Sequence, residues 1–531
     1  MLLIILTTFF LFVIFCGFSS LDISKNENDF LCFRLIKGIF IVAILSGYSS
    51  IFIPLNLYFE LFILVVGIGF FIYNRQLIYI KQLFYLPKSF FYFTLILVFV
   101  SSMNAYIFDT FSYYLPTIKW LDDYGLVKGL ANFDFNLGQT SLWHILSASF
   151  NQIIDPYYKI NFFITLIYLI FIYETKKYIL LFALPFFYLF LASPSPDLPV
   201  IVLSIIAIIN YSLYKSKQSI CFGFIVGAML VLMKPIAFVL VIYFFVLWLI
   251  DVENKSYKEI VVVIFIGLLF IIKNIILTAN VTFPLAYGNL SSLSYSIPKY
   301  IYYLSSIDGR YSLLPNNDSI KYECFKTWST SDYYLYIFKN INFSIALYIL
   351  IALINSIFLI HSIFRKDKRM IFLASLMIFK VIVFFIISIQ YRFILDNLLI
   401  ILSLFLIEKS FKIYIISIPI FVLSILFVFS INLFSNSLPF FMRSISRYAI
   451  HNLIQPKIYK AHSKQINYSN FKANYITNTI FSLDVKQPAL NKRLLEKYKS
   501  QGYYPKLINK ENIKDGFELH KSIIEEKKDS K

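Results

Sequence analysis

Charged residues are scarce in this chain: they make up 15% of its 531 residues, against about 25% in an average soluble domain. Hydrophobic residues make up 59%, and they occur in runs of roughly 20, the length that crosses the apolar core of a bilayer. A soluble enzyme cannot bury that much apolar surface, and a disordered chain does not contain it. The sequence therefore predicts a multi-pass membrane protein.

Cysteine is also rare, with four residues scattered along the chain and no Cys-X-X-Cys pair. This pattern indicates neither a zinc site nor a framework of disulfides. The sequence lacks the glycine-rich loops of nucleotide-binding proteins and the short motifs of zinc proteases and serine hydrolases. The residues therefore predict no metal site, and they indicate no cofactor.

Fourteen apolar segments are predicted to be membrane spans, and the need to satisfy backbone hydrogen bonds inside lipid makes them helices. They are residues 1–18, 35–53, 56–74, 89–108, 160–174, 178–192, 197–214, 219–233, 235–250, 259–278, 341–363, 370–389, 394–408 and 413–434. The first segment has no basic flank and no signal-peptide cleavage site, so we expect it to be retained. The predicted fold is an all-α polytopic membrane protein.

The positions of basic residues predict the orientation of the helices. Alternate connections carry 18 lysines and arginines, whereas the short connections 54–56 and 193–196 carry none. The 18 residues are Lys25, Arg34, Lys37, Arg75, Lys81, Lys88, Lys176, Lys177, Lys215, Lys217, Lys255, Lys258, Arg365, Lys366, Lys368, Arg369, Lys409 and Lys412. Because basic loops stay cytoplasmic, we expect the N-terminus, the loops 109–159 and 279–340, and the C-terminal tail on the external face.

Composition divides the chain into three predicted parts. Residues 1–88 are N-terminal transmembrane helices, residues 89–434 are a transmembrane core with the two long loops, and residues 435–531 are a basic external domain. This last part has 18 basic and 8 acidic residues and no run long enough to span. Within it, residues 488–498 have helical periodicity, and residues 525–531 are expected to be disordered.

The first long external loop begins with an acid, Asp109. Apolar residues after it fall at helical spacing, namely Phe111, Tyr114, Leu115, Ile118 and Leu121. They predict an amphipathic helix in the plane of the membrane surface, with Pro116 in its first turn or at a kink. At the start of this helix, the position of Asp109 suits an N-cap, a general base, or both roles together. The helical phase directs Asp122 and Asp123 toward water.

Other candidate residues lie at the outer membrane face. Asp197, in Ser-Pro-Ser-Pro-Asp-Leu-Pro, is either a helix cap or an acid that holds an acceptor or a cation. Lys234, Lys273 and Arg392 lie in or at the ends of apolar runs, where charge is costly and marks a functional site by default. Together they would suit a phosphate or pyrophosphate; the alternative is that they extend to lipid headgroups. For His144, a structural hydrogen bond is favoured over catalysis.

With this topology the chain resembles the GT-C superfamily of polytopic glycosyltransferases. Those enzymes carry an acidic residue just after a span, at the head of a long external loop, as Asp109 does in Phe-Asp-Thr-Phe-Ser-Tyr-Tyr. More closely, residues 109–120, Gly-Leu-Ala-Asn at 129–132, Leu-Gly at 137–138 and the Ser-Pro-Ser-Pro-Asp connection are similar to a family of uncharacterised bacterial membrane proteins related to GT-C enzymes.

The resemblance implies a GT-C-like bundle in the bacterial cytoplasmic membrane that transfers a sugar, with inversion, from a polyprenyl-phosphate donor to an envelope glycan, lipid or protein. It implies Asp109 as the base and Arg392 beside the lipid phosphate. The other residues expected to contact substrate are Trp120, Asn132, His144, Asp197, Lys234 and Lys273. The implied partners are the bilayer, the lipid-linked sugar and the acceptor.

Two other functions remain open. One is a lipid-linked polysaccharide polymerase or ligase, and the other is a transporter or flippase. A transporter is expected to have repeated halves with helices broken by glycine and proline, and the chain has only 15 glycines. No nucleic-acid partner is expected, because 18 of the 48 basic residues lie in the predicted cytoplasmic loops and none belongs to a recognition motif.

Overall fold

The structure is a computed structural model that describes residues 1–21, 30–105, 107–252, 257–314, 320–407, 450–456 and 459–521, with short pieces between 415 and 426. Several predictions lie outside the described residues. They are the loop residues Lys25, Lys255, Lys409 and Lys412, most of the predicted span 413–434, and the disorder expected for residues 525–531.

The protein is mostly helical, at 70%. The helices are α1 (Leu2–Ser19), α2 (Leu31–Phe52), α3 (Leu57–Tyr73), α4 (Leu77–Phe84), α5 (Lys88–Ser101), α6 (Leu115–Tyr124), α7 (Leu130–Phe133), α8 (Leu142–Ala148), α9 (Ile160–Thr175), α10 (Leu184–Leu191), α11 (Asp197–Tyr214), α12 (Lys217–Met233), α13 (Phe238–Asp251), α14 (Tyr257–Thr278), α15 (Lys299–Tyr311), α16 (Tyr322–Phe325), α17 (Thr330–Lys339), α18 (Phe343–Phe364), α19 (Lys368–Ile387), α20 (Leu395–Leu406) and α21 (Lys492–Gln501).

Within the described residues, six helices are long and apolar enough to cross a membrane: α1, α2, α11, α14, α18 and α19. A seventh is counted if α3 and α4, which meet at a bend of 84°, form one span. The 14 predicted spans are therefore not confirmed. The predicted span 89–108 is too long, because α5 ends at Ser101. The predicted span 178–192 is a 3-10 turn followed by α10, with Pro185 at the junction.

Contacts between Cα atoms group the chain into two compact units. The first contains residues Met1–Pro199, Ile266–Ile297 and Lys409–Lys531, and the second contains Val200–Phe265 and Pro298–Glu408. The first unit therefore includes the loop 109–159 and the C-terminal tail. The second includes the helices from α11 to α20, except the first three residues of α11 and the C-terminal half of α14.

Small residues let the first helices pack closely. A Cβ atom on Gly17 of α1 would lie 2.0 Å from the carbonyl oxygen of Gly67 in α3. A Cβ atom on Gly38 of α2 would lie 1.9 Å from the carbonyl oxygen of Phe15. Backbones that approach this closely leave no space for a side chain, which is the usual role of glycine at interfaces between membrane helices.

The described residues of the tail form five strands, so the all-α fold class is wrong for this part of the chain. Strands β1 (Ser463–Tyr468) and β2 (Phe471–Ile476) are antiparallel, and β3 (Ala489–Leu490) runs parallel to β2. Strands β4 (Tyr503–Leu507) and β5 (Phe517–Lys521) form an antiparallel pair. The helical periodicity predicted for residues 488–498 corresponds to α21.

The tail packs on the start of the first loop. The ring of Phe111 lies 5.0 Å from that of Tyr459 and 5.7 Å from that of Phe481, and the Tyr459 hydroxyl accepts a hydrogen bond from the Ala105 amide at 2.8 Å. The N-terminal ammonium of Met1 donates to the Leu453 carbonyl. The N-terminus, the first loop and the tail therefore meet in one unit.

Candidate functional site

Asp109 lies between α5 and a π-helical turn, Thr110–Tyr114, that leads directly into α6. It occupies the cap position of this turn, but its side chain makes no capping hydrogen bond. Pro116 is in the first turn of α6, as predicted. Asp109 is half-buried at the head of the loop.

A hydrogen bond joins the residue after Asp109 to the second external connection. The hydroxyls of Thr110 and Ser193 are 2.6 Å apart, and both residues are buried. Two residues further on, the Ser195 hydroxyl donates to the Asp197 carboxylate at 3.2 Å. Asp197 is buried and is the first residue of α11. The structure thus ties the two segments that carry the acids Asp109 and Asp197.

Asn161 hydrogen-bonds to the second connection and to Trp143. The Asn161 amide nitrogen donates to the carbonyls of Phe190 at 2.9 Å and Ser195 at 3.0 Å. The Trp143 indole N–H donates to the Asn161 side-chain oxygen at 2.7 Å. These three buried hydrogen bonds attach the ends of the second connection to α8 and α9.

Lys159 links the same two segments. Its buried ammonium donates to the carbonyls of Met103 at 3.0 Å and Ala192 at 3.3 Å. The Lys159 amide donates to the Asp155 carboxylate at 2.8 Å. Burial lowers the pKa of Lys159 to about 8 and raises the pKa of Asp155 to about 7, so both side chains titrate near neutral pH.

The raised pKa of Asp155 predicts a pH-dependent stability. Between about pH 4 and pH 7 the unfolded chain has lost this proton while the folded chain keeps it, so the free energy of unfolding falls as pH rises, by at most about 1.4 kcal/mol per pH unit. Asp155→Asn removes this titration. We expect the melting temperature of the variant, relative to wild type, to rise steadily from pH 5 to pH 7. If the melting temperatures of the variant and of wild type change in parallel between pH 5 and pH 7, the raised pKa of Asp155 is contradicted.

Three residues predicted to contact substrate have structural partners in the first unit. Trp120 is buried, with its ring 5.4 Å from Phe133 and 5.9 Å from Phe517. The Asn132 amide nitrogen donates to the carbonyls of Tyr295 and Phe517, at 2.8 and 2.9 Å. His144 is buried in the first turn of α8, where its Nδ1 accepts from the Ser141 amide at 3.4 Å, a hydrogen bond of the structural kind that the sequence favours.

The expectation that Asp122 and Asp123 face water is wrong. The Lys119 ammonium contacts Asp122 and lies 3.1 Å from an Asp123 oxygen. Asp122 is buried and accepts from the Gln152 amide at 2.7 Å, and Asp123 accepts from the Gln487 backbone amide at 2.8 Å. The polar side of α6 therefore contacts protein, because the loop and the tail cover it.

Lys273 belongs to the first unit, whereas Lys234 and Arg392 belong to the second. Lys273 is buried, and its ammonium donates to the Thr140 carbonyl at 2.6 Å. This bond fastens α14 to the segment just before α8. The contact gives Lys273 a structural partner at the place where the sequence predicts a phosphate contact.

In the second unit, Lys234 and Arg392 share one aromatic ring. The Lys234 ammonium lies 4.8 Å from the ring centre of Phe393, and the Arg392 guanidinium carbon lies 5.4 Å from it. Lys234 is the C-cap residue that follows α12, and Arg392 lies in a 3-10 turn, Tyr391–Phe393, between α19 and α20. The Gln390 side-chain oxygen accepts from Arg392 Nε at 2.7 Å and so orients the guanidinium.

The sequence interpretation missed a buried ion pair in this unit. Lys380 of α19 and Asp396 of α20 contact each other inside the apolar helices. A signal was present, because Lys380 interrupts the apolar run 370–389 and charge inside such a run is costly. Among the described residues, no group of three His, Cys, Asp or Glu side chains is placed to hold a metal ion.

The model of one protein family, the domain of unknown function DUF8201, matches residues 1–399. The chain belongs to this family. The DUF8201 match contains every candidate residue described above, from Asp109 to Asp396, and it ends before the strands of the tail. No curated protein and no solved structure matches the chain.

Proposed function

We propose that the protein is a membrane glycosyltransferase of GT-C type, which moves a sugar from a polyprenyl-phosphate donor to an envelope acceptor. The observation that carries the proposal is the placement of Asp109. Asp109 is half-buried at the head of the loop, and the next residue, Thr110, bonds to Ser193 of the second connection. A carboxylate so placed is suited to act as a general base.

In the proposed reaction, Asp109 accepts the proton of an acceptor hydroxyl as its oxygen attacks the anomeric carbon of the donor. The bond between that carbon and the phosphate oxygen breaks, and polyprenyl phosphate leaves with the electron pair. Attack from the face opposite the leaving group inverts the anomeric configuration. The donor bond supplies the driving force, so no nucleotide is required at the external face.

Two cations support a phosphate site in the second unit. Lys234 and Arg392 lie over the same ring, and Arg392 is held by Gln390, so a phosphate group would meet a point charge and a fixed fork of donors. We propose that these residues bind the donor phosphate. Asp197, tied to Ser195, is proposed to contact the acceptor or the sugar.

The proposed location is the bacterial cytoplasmic membrane, with the N-terminus, the loop 109–159 and the tail on the external face. The six or seven helices able to span a membrane support a multi-pass protein. The contacts of the tail with Ala105 and Phe111 support a common side for the loop and the tail. The GT-C-like arrangement of the bundle is part of the proposal.

Replacement of Asp109 by Asn tests the base. A deletion strain is complemented with wild type, Asp109→Asn or Asp134→Asn, and the surface glycans are quantified. We expect Asp109→Asn to reach the membrane at wild-type levels and to lower transfer by at least about 100-fold, because the proton acceptor is lost.

Asp134→Asn is the matched control for this experiment. Asp134 lies in the same loop, caps a short turn by accepting from the Asn136 amide, and pairs with Lys497 at 3.3 Å. Asn also caps such turns, so transfer should be nearly unchanged. Unaltered glycans in the Asp109→Asn strain, with the donor pathway intact, would refute the proposed base.

A further inference from the structure

The apolar helices of the second unit contain a buried charge pair. The Lys380 ammonium lies 2.7 and 2.6 Å from the two oxygens of Asp396, and the side chains are 1% and 8% exposed. Both oxygens of the acid contact the same ammonium, so the geometry is tightly defined. Ionisable residues inside apolar helices mark functional sites by default.

Asn397, the next residue, fixes the same end of α20. Its amide nitrogen donates to the Met377 carbonyl in α19 and to the Asn355 side-chain oxygen in α18, each at 3.2 Å. Lys380, Asp396 and Asn397 line a small cavity together with Ser204. Two consecutive residues thus attach the first turn of α20 to both neighbouring helices.

An ion pair is a costly way to gain stability at such a place. Removing two charges from water costs free energy that their attraction often does not exceed, and apolar pairs of similar volume are frequently as stable. What the pair adds is a directional contact, since the ammonium donates to both carboxylate oxygens, whereas an apolar contact has no preferred direction. The pair therefore acts on whatever the start of α20 holds in place.

We define the two-cation site as Lys234 and Arg392 over Phe393. The turn between α19 and α20 carries Arg392 and Phe393, and Lys234 comes from the end of α12. Asp396 follows this turn closely in the chain. Within the turn, the Gln390 amide nitrogen donates to the Ser388 hydroxyl at 2.8 Å, and the Gln390 oxygen accepts from Arg392 at 2.7 Å. The Phe393 ring lies 5.3 Å from that of Phe384 in α19. A shift of α20 along α19 would move Phe393 and Arg392 together.

We propose that Lys380 and Asp396 are positioning residues: their ion pair holds α20 against α19 so that the two-cation site keeps the spacing that binds a phosphate ester. This inference rests on the proposed function for the source of that phosphate, a polyprenyl-phosphate donor. It assigns the pair a role in binding that is separate from the stability of the fold.

The test measures equilibrium binding of farnesyl phosphate and of inorganic phosphate to the purified full-length protein in detergent. Four proteins are compared: wild type, the neutral double variant Lys380→Met with Asp396→Leu, the exchanged double variant Lys380→Asp with Asp396→Lys, and Asp251→Asn. Asp251 pairs with Arg369 at 3.0 Å near the other end of α19, so its variant is the matched control for a broken ion pair.

We expect the neutral double variant to melt near the wild-type temperature and to bind both probes about tenfold more weakly. The exchanged double variant restores the pair and should bind within about threefold of wild type, and Asp251→Asn should bind as wild type does. If the neutral variant does not fold, the exchanged variant carries the test alone, and a folded exchanged variant with tenfold weaker binding overturns the proposal.

Three other results overturn the positioning role. The first is a folded neutral variant that binds both probes as wild type does. The second is a neutral variant in which only the binding of farnesyl phosphate is weaker, which would report a lost contact with the prenyl chain. The third is a wild-type protein that binds neither probe. The binding measurement does not require the protein to transfer a sugar. If binding of farnesyl phosphate depends on the ion pair but the protein transfers no sugar, the proposed function is contradicted and the positioning role of the pair remains.

Discussion

Glu60→Ala is expected to abolish the folded protein or to lower its melting temperature sharply. The Glu60 carboxylate in the first turns of α3 is 1% exposed and accepts hydrogen bonds from three consecutive backbone amides, those of Gln152, Ile153 and Ile154, at 2.6 to 3.1 Å. Alanine leaves these amides without an acceptor inside the protein. At roughly 1 to 3 kcal/mol for each unsatisfied group, the loss is on the order of 4 kcal/mol or more.

The measurement is thermal unfolding in detergent, followed by tryptophan fluorescence. Glu60→Gln keeps one acceptor oxygen and the side-chain volume, so it should fall between wild type and alanine. Glu323→Ala is the control, because Glu323 is exposed and its pair with Lys326 is worth little. A melting temperature of Glu60→Ala equal to that of Glu323→Ala would show that the carboxylate does not hold the 152–154 backbone.

Phe517→Ala is expected to detach the tail from the first loop. Phe517 is 0% exposed in β5, and its ring packs 5.2 Å from Phe133, 5.4 Å from Phe471 and 5.9 Å from Trp120. Truncating a buried phenylalanine costs about 3–5 kcal/mol. Because this cluster joins the tail to α6 and α7, the loss should appear both as a lower melting temperature and as faster tryptic cleavage in the lysine-rich tail.

Ile508→Ala provides the comparison for this variant. Ile508 follows β4, the partner strand of β5, but is 41% exposed, so its truncation should cost less than about 0.5 kcal/mol and leave the cleavage rate near that of wild type. If Phe517→Ala digests no faster than Ile508→Ala, the aromatic cluster does not anchor the tail.

Most helices could be predicted from the sequence, because each apolar run encodes its own helix. The predicted segments 259–278 and 341–363 differ from Tyr257–Thr278 and Phe343–Phe364 by at most two residues at either end. The number of spans could not be predicted, since hydropathy does not distinguish a spanning helix from a shorter one that ends in an apolar connection, as at Ser101. The short strands of the tail also have weak local signals.

The candidate site was only partly visible in the sequence. Asp109 stood out through its position after an apolar run, and Lys234 and Arg392 through their charge. The partners that decide each residue's role lie far away in the chain, as Asp123 with Gln487 and Trp120 with Phe517 show. Amphipathic phase alone directed Asp123 to water, because it carries no information about a tail that folds back more than 300 residues later.

The most direct test of the central claim is sugar transfer by the purified wild-type protein in liposomes. The donors are synthetic polyprenyl-phosphate hexoses and pentoses with a labelled sugar, and the acceptor is an envelope extract from a deletion strain. We predict that the label moves from one donor to the acceptor with inverted anomeric configuration, and that free polyprenyl phosphate appears in equal amount. Labelled lipid that crosses the bilayer intact, with no transfer from any donor, would contradict the glycosyltransferase assignment and favour a flippase.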